Sequence, residues 1–178
     1  MRDSDALENN PHVSRSALEA IHSQVFGWAL SRCFYDHAAA EDLMQQVYVE
    51  LLSGAARFDN KSSLKTFVFS VVQNLARSRY RRVASRLRLV RTYEDTIFEP
   101  PTDMRQSGHD SDQRKLNSAI WQHVQQLPPR QRDIIELVFC REITIEEASA
   151  VMGVTTGTGR VHYDRAKKAL RTKLGELQ

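Results

Sequence analysis

Thr144-Ile145-Glu146-Glu147-Ala148-Ser149-Ala150-Val151-Met152-Gly153-Val154-Thr155-Thr156 contains a helix start, a helix stop and a second helix start. Thr144 with Glu147 three residues on is a capping box, in which hydroxyl and carboxylate satisfy otherwise orphaned amides. Ile145, Ala148, Val151 and Met152 follow as a short apolar stripe. Gly153 stands where a helix end wants a left-handed residue. Val154 plugs the turn, and Thr155 or Thr156 caps the next helix. That helix sets Tyr163, Ala166, Leu170 and Leu174 on one face and Arg160, Arg165, Lys167, Lys168, Arg171 and Lys173 on the remainder. A short helix, a glycine turn and a basic second helix form the pattern of a DNA-binding helix-turn-helix. An ordinary helical hairpin with a solvated basic face is the competing reading, and the turn chemistry together with the basic bias favours DNA. In a major groove, Arg160 is placed to read guanine bidentately, Val161 to touch a thymine methyl and Asp164 to accept from cytosine. Thr156, Thr158, Arg165 and Lys168 suit phosphates, which fix register rather than sequence.

Working outward, apolar residues recur at helical spacing almost throughout. Upstream, Pro128-Pro129 preorganises a helix start, with Ile134, Ile135, Leu137 and Val138 inward and Leu116, Ile120, Val124 and Leu127 before it. Nearer the N-terminus, Leu18, Ile21, Val25, Ala29 and Cys33 make one stripe. Ala40, Leu43, Val47 and Leu51 make a second, on a helix that opens at Glu41 and Asp42 and ends at Gly54. Leu64, Phe67, Val68, Val71, Val72 and Leu75 make a third. From Tyr93 to Gln113 the pattern lapses into Pro100-Pro101, Gly108 and six acids. The expected fold is all-α: an N-terminal tail (1–13), a helical domain (14–92), an acidic linker (93–113) and a helix-turn-helix domain (114–178).

Charge follows these divisions. The whole chain of 178 residues carries only +3, but residues 1–59 carry −5, 60–93 carry +9 without one acid, 94–113 carry −5 and 114–178 carry +4. Short charge runs are usually solvated helix faces, whereas a 34-residue window without an acid points to a polyanion partner. No run approaches the twenty apolar residues of a membrane span, and the N-terminus has no apolar signal core, so a cytoplasmic protein is expected. Cys33 and Cys140 stand alone, which argues against a disulfide scaffold or a zinc finger. The six histidines are scattered, with no metal-ligand spacing, no catalytic set and no glycine-rich phosphate loop. Neither an enzyme nor a cofactor is expected.

Inside the basic window, Arg77, Arg79, Arg81, Arg82, Arg86, Arg88 and Arg91 interleave with Tyr80. Arginine beside aromatics suits single-stranded nucleic acid, because bases stack on rings while cations follow phosphates. Phe67 lies on the apolar stripe and is expected in the core. Phe69 falls off the stripe and is expected to be available to bases. Asn74 reads either as a turn residue or as an amide that meets an unstacked base.

At this point the residues resemble a known family. Ala40-Glu41-Asp42-Leu43-Met44-Gln45-Gln46-Val47-Tyr48 resembles the region 2.2 helix of bacterial sigma factors. Phe58 through Arg82, with Ser63-Leu64-Lys65-Thr66-Phe67-Val68-Phe69 and Val72-Gln73-Asn74-Leu75-Ala76, is similar to regions 2.3 and 2.4. Leu127-Pro128-Pro129-Arg130-Gln131-Arg132 with Thr144 to Leu170 is similar to region 4. With no region 1 or 3, the match is to the extracytoplasmic-function group of the sigma-70 family, over roughly residues 14–84 and 114–174.

The resemblance implies a promoter-specificity subunit. Asp42, Leu43, Gln45, Gln46 and Val47 would dock on the clamp helices of the largest subunit of core RNA polymerase, whose flap is a further contact. Ser62, Ser63, Lys65 and Thr66, with Asn74, would hold the opened minus-ten element, one base flipped into a pocket. Phe69 and Tyr80 are the aromatic candidates there, and Arg77, Arg79 and Arg81 would hold the backbone. The helix of Arg160, Val161 and Asp164 would read the minus-thirty-five duplex, and the acidic linker would thread towards the RNA path. An anti-sigma factor, often membrane-anchored, is the implied inhibitor. Four positions depart from the family pattern: Gln46 stands for a common Glu, Gly159 for a branched apolar residue, Ser149 for a small Ala and His162 for a basic residue. Two other readings compete: a free-standing helix-turn-helix regulator, which would need no single-strand contacts, and an interaction protein that sequesters another regulator.

Overall fold

The computed structural model describes residues 6–90 and 120–175. The acidic linker, Arg91, Tyr93 and Leu116 lie outside them. The chain divides into two compact units, Met1–Met104 and Arg105–Gln178. Both are helical, as expected, apart from one short hairpin. Among the described residues, no helix is long and apolar enough to cross a membrane.

The first unit opens with that hairpin, β1 (Ala6–Leu7) paired antiparallel with β2 (Asn10–Ser14), where the sequence suggests only a tail. Ser14 ends β2 and caps α1 (Arg15–Arg32), its hydroxyl accepting from Ala17 N–H. α2 (His37–Leu52) begins at the Asp36 cap, a full turn before the expected start at Glu41. Asp36 is the nearer side chain able to accept from a first-turn amide, and it decides the boundary. α3 runs from Leu64 to Val90, with Ser63 Oγ accepting from Thr66 N–H at its start. Leu18, Val25, Trp28 and Ala29 of α1 meet Leu43, Val47 and Leu51 of α2 and Val68, Phe69 and Val72 of α3 in the core.

The hairpin docks on the C-terminal end of α2. Helix ends leave carbonyls without intrahelical partners. Asn10 Nδ2 donates to Leu51 O at 2.5 Å and to Ala56 O at 2.9 Å, while its Oδ1 accepts from Phe58 N–H at 2.9 Å. Asn9 Nδ2 donates to Leu52 O at 2.8 Å. Gly54, at φ +73°, lies beneath Asn9, and a Cβ there would come within 2.9 Å of the Asn9 Cβ.

In the second unit, residues 120–125 form helix α4 and Pro129–Ile135 form α5, with Pro129 in the first turn. α5 continues as a π-helical turn, Glu136–Cys140, which the sequence does not announce. Glu136 is buried there and pairs with Arg141 (Oε1 to Nη2, 2.9 Å), so its charge is not left alone in the core. Then come α6 (Ile145–Met152) and α7 (Thr156–Gly175). The Thr144–Glu147 capping box is formed from both sides and Gly153 is left-handed at φ 67°. Thr155 is the cap of α7, its Oγ1 accepting from Thr158 N–H. Arg130 Nη1 donates to Met152 O, which ties α5 to the end of α6.

Candidate nucleic-acid interface

In the first unit the loop from Phe58 to Ser63 leads into α3. Its ends are held: Phe58 by Asn10 and by a tilted ring contact with Phe67 at 5.2 Å, Ser63 by capping α3. Between them Asp59, Asn60, Lys61 and Ser62 are exposed. Asp59 and Lys61 pair at 2.6 Å. That hydrogen bond holds the Asp59 carboxyl below its usual range and raises the Lys61 ammonium.

The ten residues expected at the minus-ten strand divide. Ser62, Asn74, Tyr80 and Arg81 are exposed, Tyr80 at 68%. Ser63 is exposed but occupied as a cap, its Oγ 2.8 Å from the buried Thr66 Oγ1. Lys65, Arg77 and Arg79 are half-buried. Arg77 lies 3.2 Å from the Gln73 amide, whose oxygen accepts from it when the amide is turned end for end, and Arg79 Nη1 donates to Ala39 O at 3.2 Å. Phe69 is 0% exposed, with its ring 6.4 Å from Trp28. The expectation for the two phenylalanines is therefore reversed: Phe69 is core, and half-buried Phe67 faces the loop. The first turns of α3 are surrounded by α1 and α2, so an off-stripe residue is buried as well. Thr66 likewise leaves the list of base contacts, since its hydroxyl is enclosed. Phe58 and Lys61 belong to this surface and carry no pattern that singles them out, and Arg82 of the arginine run is exposed.

On α2, Asp42, Gln45 and Gln46 are exposed, whereas Leu43 and Val47 are fully buried. The latter two cannot touch a partner and instead fix the helix on its neighbours. Val49 and Leu52, each 55% exposed, extend the outward row at helical spacing and stand outside the residues expected from the sequence. An apolar residue that leaves a hydrophobic stripe was the available signal.

In the second unit, Thr158, Arg160, Val161, Asp164, Arg165 and Lys168 all lie exposed on α7 and Thr156 is half-buried. Their spacing places Arg160, Val161, Asp164 and Lys168 along one side. Thr158 Oγ1 meets Thr155 Oγ1 at 2.9 Å and so shares in the cap. Arg160 Nη2 is paired with Glu146 Oε1 at 2.7 Å across the turn. The Glu146 carboxyl is held below its usual range, first by its own backbone amide and then by Arg160. Lys167 lies 5.2 Å over the Tyr163 ring, which stacks on Phe139. Both surfaces thus combine exposed cations with residue types that are able to contact bases: an aromatic and amides in the first unit, a helix with a forked donor in the second.

Residues 17–86 match the family model for sigma-70 region 2, and residues 124–172 match sigma-70 region 4. Together they span more than half of the chain. RNA polymerase sigma factor CarQ of Myxococcus xanthus is 28% identical over 164 residues, covering 90% of this chain and 89% of that protein. The ECF RNA polymerase sigma factor EcfG of Rhodopseudomonas palustris is 29% identical over 139 residues, covering 76% and 71%. Among solved structures, the fold is similar to the sigma factor RpoE of Bartonella quintana, crystallised with the anti-sigma factor NepR. The TM-score is 0.70 at 23% identity, over 90% of this chain and 96% of that one.

Proposed function

Because the chain belongs to the extracytoplasmic-function group of the sigma-70 family, we propose that it directs core RNA polymerase to a set of promoters and helps open them. Residues 14–92 form the core-binding and minus-ten domain, 93–113 the linker and 114–178 the minus-thirty-five domain, with 1–13 preceding them. Asp42, Gln45 and Gln46, flanked by Val49 and Leu52, meet the clamp helices. Ser62, Lys65, Asn74, Tyr80 and Arg81 meet the minus-ten strand, with Arg77 and Arg79 at its edge. Thr156, Thr158, Arg160, Val161, Asp164, Arg165 and Lys168 meet the minus-thirty-five duplex, Arg160 reading a base. Sigma factors are not enzymes, and the chemistry of opening comes from binding energy and polymerase. The chain acts in the cytoplasm, and an anti-sigma factor holds it inactive by covering its polymerase-docking surfaces; the Bartonella protein was crystallised with an anti-sigma factor.

The observation that carries this reading is the pairing of an exposed Tyr80–Arg81–Arg82 surface in the first unit with a helix-turn-helix in the second. A free-standing repressor needs only the helix-turn-helix. Reconstitution with core polymerase and a promoter library, followed by mapping of transcript starts, tests it. Starts downstream of one shared bipartite motif support the reading; no affinity for core beside tight duplex binding alone would leave the repressor.

A further inference from the structure

We propose that Asn10 is a positioning residue for promoter opening, one that sets the shape of the loop from Phe58 to Ser63 from 48 residues away in sequence. The proposal rests on the reading of that loop as part of the minus-ten site.

Asn10 is 2% exposed, and both hydrogens and the oxygen of its amide are engaged. A side-chain amide has two donor hydrogens and one acceptor oxygen. Here both hydrogens go to carbonyls at and beyond the end of α2, Leu51 and Ala56, and the oxygen goes to the amide of Phe58. One side chain therefore fixes the last turn of the helix that carries Gln45 and Gln46, the bend after it and the first residue of the loop. No other side chain of this size supplies that set: Asp lacks the donors, Leu lacks both donors and acceptor, and Ser is too short for three partners.

The consequence for the loop follows from its two ends. Phe58, held by Asn10, packs its ring at a tilt against Phe67 in the first turn of α3, and Ser63 caps that helix. With both ends tied, the exposed Asp59–Ser62 arch has few conformations to lose when it closes on a base. Preorganisation of this kind lowers the ordering cost of binding. The dependence runs through an N-terminal hairpin that is also anchored by Asn9 on Leu52 O and by Val13 in the core.

Holoenzymes made with core polymerase and the full chain, either native or carrying Asn10→Ala, Val13→Ala, or Ser62→Ala with Lys65→Ala, would be profiled on promoters randomised through the minus-ten element. Affinity for core and minus-thirty-five preference would be measured beside it. Val13→Ala weakens the same hairpin but leaves the three Asn10 bonds in place, and melting temperatures of the free proteins match the two variants for stability. Asn10→Ala is expected to flatten minus-ten base preference by about tenfold, the scale of one lost orienting hydrogen bond, with minus-thirty-five preference unchanged. Val13→Ala is expected to keep the native profile. If the two flatten the profile alike, the hairpin is a general stabiliser and the proposal falls. If the loop variant alters the profile and Asn10→Ala does not, the proposal falls while the minus-ten reading stands. If neither alters it, the loop does not read the minus-ten element and both fall.

Discussion

Gly159 on α7 lies so close to Ser149 on α6 that a Cβ at 159 would overlap the serine Oγ and come within 3.1 Å of its Cβ. Ile134 Cδ1 closes the other side at 3.3 Å. The serine cannot simply turn away at no cost, because its Oγ donates to Ile145 O at 2.6 Å. Two departures from the family pattern thus face each other. The glycine gives up about 1 kcal/mol of helix propensity and in return the larger side chain across the interface is accommodated.

Gly159→Ala should therefore fail to stabilise α7. Overpacking of about 1–3 kcal/mol outweighs the propensity gain of about 1 kcal/mol. Combined with Ser149→Ala, the same change should become neutral or stabilising, with a coupling energy of about 1 kcal/mol or more. Urea denaturation of the four forms measures this, and strictly additive effects would contradict the packing account.

Glu146 gives a pH prediction. Its carboxyl is held below the ordinary 4.5 by its own amide and by Arg160. A group whose folded value is depressed contributes stability above its unfolded value and loses that contribution as pH falls through the folded value. The stability difference between native protein and Glu146→Gln should hence be flat from neutrality down to about pH 5.5 and shrink below it. The pair is exposed, so the difference is small and best followed by titrating the carboxyl resonance. The same variant frees Arg160 and removes an anion near DNA, so minus-thirty-five affinity should rise a few-fold at low salt. Unchanged affinity would mean that the pair does not compete with the duplex.

The phenylalanines separate packing from recognition. Phe69→Ala empties a fully enclosed site and should cost about 3–5 kcal/mol. Phe67→Ala should cost clearly less, because that ring is half-buried, yet it removes the support of Phe58 and should weaken strand opening in the holoenzyme. Chemical denaturation and permanganate reactivity of the opened strand distinguish the two effects. Equal stability losses would refute the assignment of core and loop.

What was legible in the sequence was local. The capping box at Thr144 and the left-handed Gly153 could be read because their partners lie within a few residues. The exposed row on α7 could be read because one face of that helix is plainly polar. The pattern misplaces Phe69 because α3 buries Thr66, Val68, Phe69, Val71, Val72 and Gln73 on more than one side, and a helix enclosed on several sides has no single stripe. Leu43 and Val47 were placed at the polymerase because a docking motif does not say which of its residues face inward. Asn10 was invisible: its bonds reach across 41 to 48 residues, and nothing near it in the sequence marks a clamp. The π-helical turn at Glu136 was equally hidden, since a buried acid can be recognised only once Arg141 is seen beside it.

Arg79 and Arg81 stand two residues apart on α3 and should behave differently. The Arg79 guanidinium is half-buried and donates to Ala39 O in the first turn of α2, so it joins two helices before it meets any phosphate. Arg81 is exposed. Arg81→Ala should leave the melting temperature of the free protein unchanged and reduce the salt slope of promoter binding by about one unit, the signature of one lost phosphate contact. Arg79→Ala should lower the melting temperature through the lost α2–α3 tie. Its effect on promoter opening should be largely recovered by Arg79→Lys only if a point charge at phosphate is what matters, because lysine lacks the planar fork. Melting curves and salt-dependent promoter binding on the three variants decide the matter. An Arg81→Ala protein that melts early with an unaltered salt slope would move Arg81 from the DNA surface to the scaffold.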